Sequence, residues 1–255
     1  MAFNHHFITD IQKRETELVV YHSDDVMLCD RSGHMSIRSP PTGLQFEREI
    51  KVGSSCSTVC HNKGYTYVGL GNGAVDRIDD QGNVTSTFIK LGSHVLSIRA
   101  HNDQLYILTY GKPYMMYAYK LNGSVIRTWE HLDISNYYNW GNRISIIDIQ
   151  LAVADVSNKR ITLYTPAGKV IRHIRCAEIT AHTHVSMCEC DDNSVIISCS
   201  NPVKVFKFNL TSGAVEWTNA GTKQPDTVRC YGQYVLVSGH YTATTHIWII
   251  NKNTG

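Results

Sequence analysis

Residues 144–174 read Ile144-Ser145-Ile146-Ile147-Asp148-Ile149-Gln150-Leu151-Ala152-Val153-Ala154-Asp155-Val156-Ser157-Asn158-Lys159-Arg160-Ile161-Thr162-Leu163-Tyr164-Thr165-Pro166-Ala167-Gly168-Lys169-Val170-Ile171-Arg172-His173-Ile174. Four short apolar runs lie in this stretch: Ile144–Ile149, Leu151–Ala154, Arg160–Tyr164 and Val170–Ile174. β-Branched residues dominate them and apolar positions recur at spacing two, which reads as four strands. The turn before the fourth run ends in Gly168, a residue that tolerates φ > 0 in a hairpin.

The same unit recurs on both sides. Turn signals end at Gly43, Gly82, Gly123, Gly168, Gly213 and Gly255, in steps of 39, 41, 45, 45 and 42 residues. Ahead of each turn lies a third-strand run: His34–Arg38, Val75–Ile78, Met115–Tyr119, Arg160–Tyr164, Val203–Phe208 and Thr245–Ile250. Two further runs precede each of these, and no window shows sustained apolar spacing of three and four. Four strands per unit of about 42 residues is the arithmetic of a β-propeller blade. The fold class expected is therefore all-β: a six-bladed β-propeller with four antiparallel strands per blade. As a single domain, its blades fall at about 17–52, 53–92, 93–133, 134–177, 178–220 and 221–255 plus 1–16. The sixth unit ends at Gly255 after its third strand, while Phe7–Ile11 is an orphan run. A circular array lets that N-terminal strand close the last blade and cover an exposed edge.

Composition sets outer limits. The 255 residues are 42% hydrophobic and 18% charged, enough to bury a core and too apolar for disorder. Lys plus Arg number 24 against 22 for Asp plus Glu, so the net charge of +2 selects no partner class. No run of about 18 apolar residues exists to span a membrane. The N-terminus lacks the pattern of an export signal, and a cytoplasmic monomer is expected. Cys29, Cys56, Cys60, Cys176, Cys188, Cys190, Cys199 and Cys230 are then read as free thiols packed as small hydrophobes.

Leu151-Ala152-Val153-Ala154-Asp155, the Asn158-Lys159-Arg160 turn, Ile161–Tyr164 and Gly168 together resemble the NHL repeat. Its pattern is a small apolar strand, Asp, an Asn-containing turn, Arg, an alternating strand and a turn Gly. The resemblance is close over residues 151–172 and survives elsewhere as spacing and strand pattern. It implies a six-bladed propeller of the kind that, in tripartite-motif proteins, binds RNA or protein. The NHL-type family also includes a metal-dependent lyase and propeller hydrolases.

Topology sorts the charges. Loops joining strands two and three, and one blade to the next, share one face, called the top here. The other turns share the bottom. Bottom turns hold Asp24, Asp25, Asp79, Asp80, Asp103, Asp191 and Asp192, with Lys63 as main cation. Top loops hold Arg31, Lys112, Arg143, Lys159, Arg160 and Lys223, with His34, His94, His182, His184 and His240. Top acids are fewer: Asp30, Asp133, Glu178 and Asp226. Tyr110, Tyr114, Tyr137, Tyr138, Trp140 and Tyr241 fall on the same face. Rings beside cations suit unstacked bases, with His240 alongside. The same residues also suit a protein hot spot, and the rings could instead cover blade junctions.

Catalytic signatures are sparse. There is no phosphate-cradling loop, no G-x-S-x-G elbow and no H-E-x-x-H. Cys188-Glu189-Cys190 with His182 and His184 has the ligand types for zinc, but a structural site normally shows C-x₂₋₄-C spacing. Strand starts facing the channel carry Cys56, His94, Arg143, His184 and Asp226, too few carboxylates for calcium. Asn83, Asn122 and Asn209 head glycosylation sequons that read better as turn chemistry. The expectation is a non-catalytic binding module without cofactor or metal, its top face taking single-stranded or loop RNA. The alternatives are a protein-interaction scaffold or substrate adaptor on that face, and a channel-centred hydrolase or lyase.

Overall fold

The computed structural model describes residues 7–11, 15–20, 26–30, 34–39, 45–111, 113–131, 144–180, 183–191, 193–241 and 244–255. Side chains are described from Glu49 onward within these ranges, except at 240, 241, 244 and 245.

Alternating sequence becomes strand throughout. β1 is Phe7–Ile11. The first full sheet is β2 (Glu15–Val20), β3 (Val26–Asp30), β4 (His34–Ser39) and β5 (Gln45–Lys51). The second is β6 (Cys56–Asn62), β7 (Tyr65–Leu70), β8 (Ala74–Asp79) and β9 (Val84–Lys90). The third is β10 (Val95–His101), β11 (Gln104–Thr109), β12 (Tyr114–Lys120) and β13 (Val125–His131). The fourth is β14 (Ile144–Ile147), β15 (Gln150–Asp155), β16 (Arg160–Tyr164) and β17 (Val170–Arg175). The fifth is β18 (Val185–Asp191), β19 (Ser194–Ser200), β20 (Val203–Asn209) and β21 (Val215–Asn219). The sixth joins β22 (Pro225–Tyr231), β23 (Tyr234–Tyr241) and β24 (Thr244–Asn251) to β1.

Each sheet is an antiparallel four-strand meander, and β1 supplies the outer strand of the last one through Phe7↔Trp248 and Ile8↔Ile247. The inner strands β2, β6, β10, β14, β18 and β22 pack each against the next, and β22 packs against β2. The sheets therefore close into a ring, the architecture of a β-propeller.

The core lies between neighbouring sheets. Leu108, Met116 and Ala118 of the third sheet meet Leu151, Val153 and Tyr164 of the fourth. On its other face the fourth sheet sets Ala152, Ala154, Ile161 and Leu163 against Met187, Ile197, Phe206 and Phe208 of the fifth. Middle strands are thus apolar on both faces, which is why β15 and β19 are buried almost end to end. Each fully buried aliphatic side chain contributes roughly 1.5–3 kcal/mol relative to exposure. Outer strands face water and turn polar.

The sequence period reappears in the bonds between sheets. The Thr58 hydroxyl accepts from Ile98 N at 3.2 Å, Ser97 from Ile144 N at 3.2 Å and Ser186 from Val228 N at 3.3 Å. Arg127 Nη1 donates to Ala167 O at 2.7 Å and Arg172 Nη2 to Leu210 O at 2.8 Å. The sequon asparagines serve turns: Asn122 Oδ1 accepts from Ser124 N at 3.0 Å, and Asn209 Oδ1 from Thr211 N and Ser212 N at 2.9 Å.

Candidate functional site

The NHL-like motif builds a turn that satisfies itself. Asp155 ends β15 fully buried and accepts from Asn158 Nδ2 at 2.9 Å and Arg160 Nε at 2.6 Å. Lys159 takes φ 51° between them, and its carbonyl accepts from Cys176 N at 2.8 Å, tying the turn to the loop after β17. Arg160 was expected on a ligand phosphate. It is instead engaged by a buried carboxylate, because the desolvated Asp155 requires a cation close by.

Tyr114 requires the same correction. It is 1% exposed, packed against Met116 and Tyr164, and cannot stack on a ligand. Tyr110 is half-buried and meets Tyr114 edge-on, with ring centroids 5.7 Å apart. Lys159 and Lys223 are exposed on the top face. Arg31, Lys112, Tyr137, Tyr138, Trp140 and Arg143 lie outside the described residues, and His240 and Tyr241 are described as strand backbone only. The bottom acids are partly matched: Lys63 pairs with Asp103, while Lys207 and Lys252 both pair with Asp191.

The channel differs from the sequence expectation as well. Among the strand starts, His94 has Nδ1 3.1 Å from Gly71 O, and burial holds its pKa below the usual imidazole range despite that bond. The charges sit mid-strand instead, on Arg99 of β10, Glu189 of β18 and Arg229 of β22. Arg99 Nη1 donates to Ile98 O at 2.7 Å, and Nη2 reaches past β14 to Met187 O at 3.5 Å. Ser145 Oγ donates to Glu189 Oε2 at 2.8 Å. Glu189 retains contact with water although protein crowds it, as expected for a side chain in a narrow channel. That crowding pushes its pKa up. Arg99, its own backbone N–H, Ser145 and Arg229 outweigh it and hold the carboxyl below its ordinary range. The available signal was an Arg two residues after a Ser or Thr in two repeats, at Ser97-Ile98-Arg99 and Thr227-Val228-Arg229.

A depressed folded-state pKa stabilises the fold above the ordinary carboxylate range and is lost as pH falls through the folded value. Glu189→Gln is therefore expected to destabilise by about 1 kcal/mol at neutral pH, a value reduced for screening by water. Thermal unfolding from pH 7 to pH 3 should show the difference from wild type shrinking as acid protonates Glu189. A difference independent of pH would exclude the charge as its cause.

One open feature is at the ring's outer wall. A cavity of about 550 Å³ lies between β17 and the fifth sheet, lined by Arg172, His173, Ile174, Arg175, Phe208 and Val215 among others. β17 pairs only with β16, leaving its outer ladder edge open among the described residues. Val170 and Ile171 are 39% and 44% exposed. Arg172 and Arg175 in the strand, with Lys169 just before it, give three cations and no acid. Glu178 at the cavity's end is paired with Lys204.

Two expectations concern cysteine and metal. Cys56 is disulfide-bonded, which overturns the reading of eight free thiols. Cys60, Cys176, Cys188, Cys190, Cys199 and Cys230 are not in disulfides. Among the described residues, no group of three or more His, Cys, Asp or Glu is placed to hold a metal ion.

No protein-family model matches the chain, and no curated protein matches it. Solved structures do. The WD40 β-propeller domain of Doa1 matches with a TM-score of 0.67 at 14% identity, over 97% of this chain and 96% of that one. A protein of unknown function from Bacteroides caccae also gives 0.67 at 14% identity, over 86% and 84%. Likeness at this identity establishes the fold, an antiparallel β-propeller, and carries no ligand with it.

Proposed function

We propose that the chain is a non-catalytic binding module whose partner is a protein, taken as an extended acidic segment along β17. The observation that carries this reading is the open strand edge beside the cavity. Unpaired backbone N–H and C=O groups on an edge accept one more strand. Lys169, Arg172 and Arg175 favour carboxylates in that strand, and Val170 and Ile171 offer it apolar contact. Among the described residues, no aromatic ring other than Phe208 and His173 lines the cavity, so a stacked nucleic acid is the poorer fit. The resemblance of residues 151–172 to NHL repeats supports an interaction role in general terms.

RNA on the top face is the competing reading, and among described side chains it rests on Lys159 and Lys223. Paired selections separate the two. From a random peptide library the wild-type protein should enrich segments alternating Asp or Glu with apolar residues. Arg172→Glu with Arg175→Glu should weaken those peptides about tenfold, and Lys159→Glu with Lys223→Glu should not. A pooled-RNA selection at about 50 and 200 mM salt is expected to retain nothing specific. Peptide binding indifferent to the β17 changes, or RNA retention lost with Lys159 and Lys223, would overturn the proposal.

A further inference from the structure

Two thiols meet across the seam between the fifth and sixth sheets. Cys188 belongs to β18 and Cys230 to β22. Their sulfurs lie 3.8 Å apart, with the Cys188 thiol donating. The residues stand 42 apart in sequence, one repeat, and β18 packs against β22 on the inner wall of the ring. Blade-to-blade packing, not chain proximity, brings them together.

Bonds close by hold the two strands in place. Val228 N donates to the Ser186 hydroxyl at 3.3 Å, and that hydroxyl lies 3.4 Å from Thr227 Oγ1. Cys188 follows Ser186 by two residues and Cys230 follows Val228 by two, so each shares its predecessor's face of the strand. Both thiols pack in one apolar cluster with Ile196, Val205, Val228 and Val237. A disulfide holds its sulfurs about 2.05 Å apart, so the pair must approach by roughly 1.8 Å, which side-chain rotation on the two strands can supply.

Access separates the two. Cys188 is 1% exposed, whereas Cys230 is half-buried at the edge of the seam. A small oxidant therefore reaches Cys230 first, and Cys188 is already in contact with the sulfur it has oxidised.

We propose that Cys188 and Cys230 form a reversible disulfide, driven by a hydroperoxide, that links the fifth sheet covalently to the sixth. The Cys230 thiol gives up its proton and its sulfur attacks the O–O bond. An S–O bond forms, the O–O bond breaks, and the alcohol (water from hydrogen peroxide) leaves with that proton. Cys188 Sγ then attacks the sulfenic sulfur. The S–S bond forms, the S–O bond breaks, and water leaves carrying the Cys188 proton. Two thiols are oxidised and one peroxide bond is reduced. The Cys188 contact and burial push the Cys230 thiol up, so its thiolate is scarce at neutral pH and the link forms faster as pH rises.

The test treats the intact chain with hydrogen peroxide at pH 7 and pH 9, blocks remaining thiols, and maps linkages by mass spectrometry without reduction. Wild type should show the link from Cys188 to Cys230 beside the bond that Cys56 already makes. It should form faster at pH 9 and open with dithiothreitol. The linked protein should melt roughly 5–10 °C higher, since the bond constrains the unfolded chain. Cys190→Ser, which changes a third thiol at the edge of the same cluster, should still form the link. Cys188→Ser should leave a sulfenic acid at Cys230 that dimedone traps, and Cys230→Ser should leave Cys188 a thiol. Cys176 and Cys199, which burial pushes up to about 11 and about 12, should stay thiols throughout. Circular dichroism on each variant confirms that the propeller is folded. Cys230 linked to Cys190 instead, loss of the link in Cys190→Ser, or no oxidation in folded wild type overturns the proposal. None of these results bears on the peptide reading, which uses the outer edge of the ring.

Discussion

Asp155→Ala is expected to lower stability by about 3 kcal/mol, because breaking a buried, hydrogen-bonded ion pair leaves its partners without the group they were arranged around. Asp155 has no exposed surface, and its two oxygens take donors from Asn158 and Arg160. Without them Asn158 and Arg160 must find water in a turn that is partly closed to it, and Lys159 loses the neighbours that hold its φ of 51°. Through the bond from Cys176 N to Lys159 O, the loosening reaches the loop that leads to the fifth sheet. For a chain of this size the change corresponds to a melting-temperature drop of roughly 10 °C. Arg160→Leu should cost less, since Arg160 is 26% exposed and the Asn158 donors remain for the carboxylate. Combining Asp155→Ala with Arg160→Leu should fall short of the sum of its parts, as coupled neighbours do. Denaturant unfolding of the three variants measures this directly. A loss within about 0.5 kcal/mol for Asp155→Ala would place the motif among ordinary surface turns.

This same turn shows where sequence reasoning reached and where it stopped. Strand alternation, the four-strand meander and the pairing of Phe7–Ile11 with β24 depend on local pattern and on a missing edge, so they can be read along the chain. What a polar side chain does depends on its nearest neighbours, and in a ring of repeats these lie one period away. Arg160 and Tyr114 were read as reaching for a ligand because their buried partners, Asp155 and Tyr164, carry no sequence mark of burial. Alternation along β18 already packs Cys188 and Cys190 between sheets. That the Cys188 thiol meets Cys230, one repeat further on, needs the fold. The spacing held that information: Thr58 with Ile98, Ser186 with Val228 and Arg127 with Ala167 are all one period apart. Charges inside the channel were missed for a related reason. An arginine such as Arg99 looks like a surface residue of an alternating strand until the inner strands are known to face one another.

The turn glycines allow the sharpest separation of backbone from packing effects. Gly168 and Gly213 occupy equivalent turns with similar φ, 77° and 71°. A side chain at either incurs the left-handed backbone penalty, roughly 1–2 kcal/mol. Their surroundings differ. A Cβ on Gly168 would sit 2.8 Å from Trp129 Cδ2 and 3.1 Å from two further indole atoms, whereas on Gly213 it meets only Ile174 Cγ2 at 3.5 Å. The indole has little room to retreat, being packed against the core of the third and fourth sheets with its centroid 6.4 Å from that of Tyr164. Overpacking of this kind adds about 1–3 kcal/mol. Gly168→Ala should therefore destabilise by about 3 kcal/mol and Gly213→Ala by about 1 kcal/mol. Trp129→Leu, which removes the ring, should bring the cost of Gly168→Ala in that background down towards the Gly213 value. Equal losses at the two glycines would mean that φ alone sets the requirement and that the outer-strand rings do not lock one sheet's turn onto the next. Unequal losses that persist without the indole would place the clash elsewhere in the turn. Only the expected pattern makes each repeat glycine both a hinge of the hairpin and a seat for the preceding sheet, the arrangement also present where Gly123 meets Phe88 and Gly255 meets Trp217.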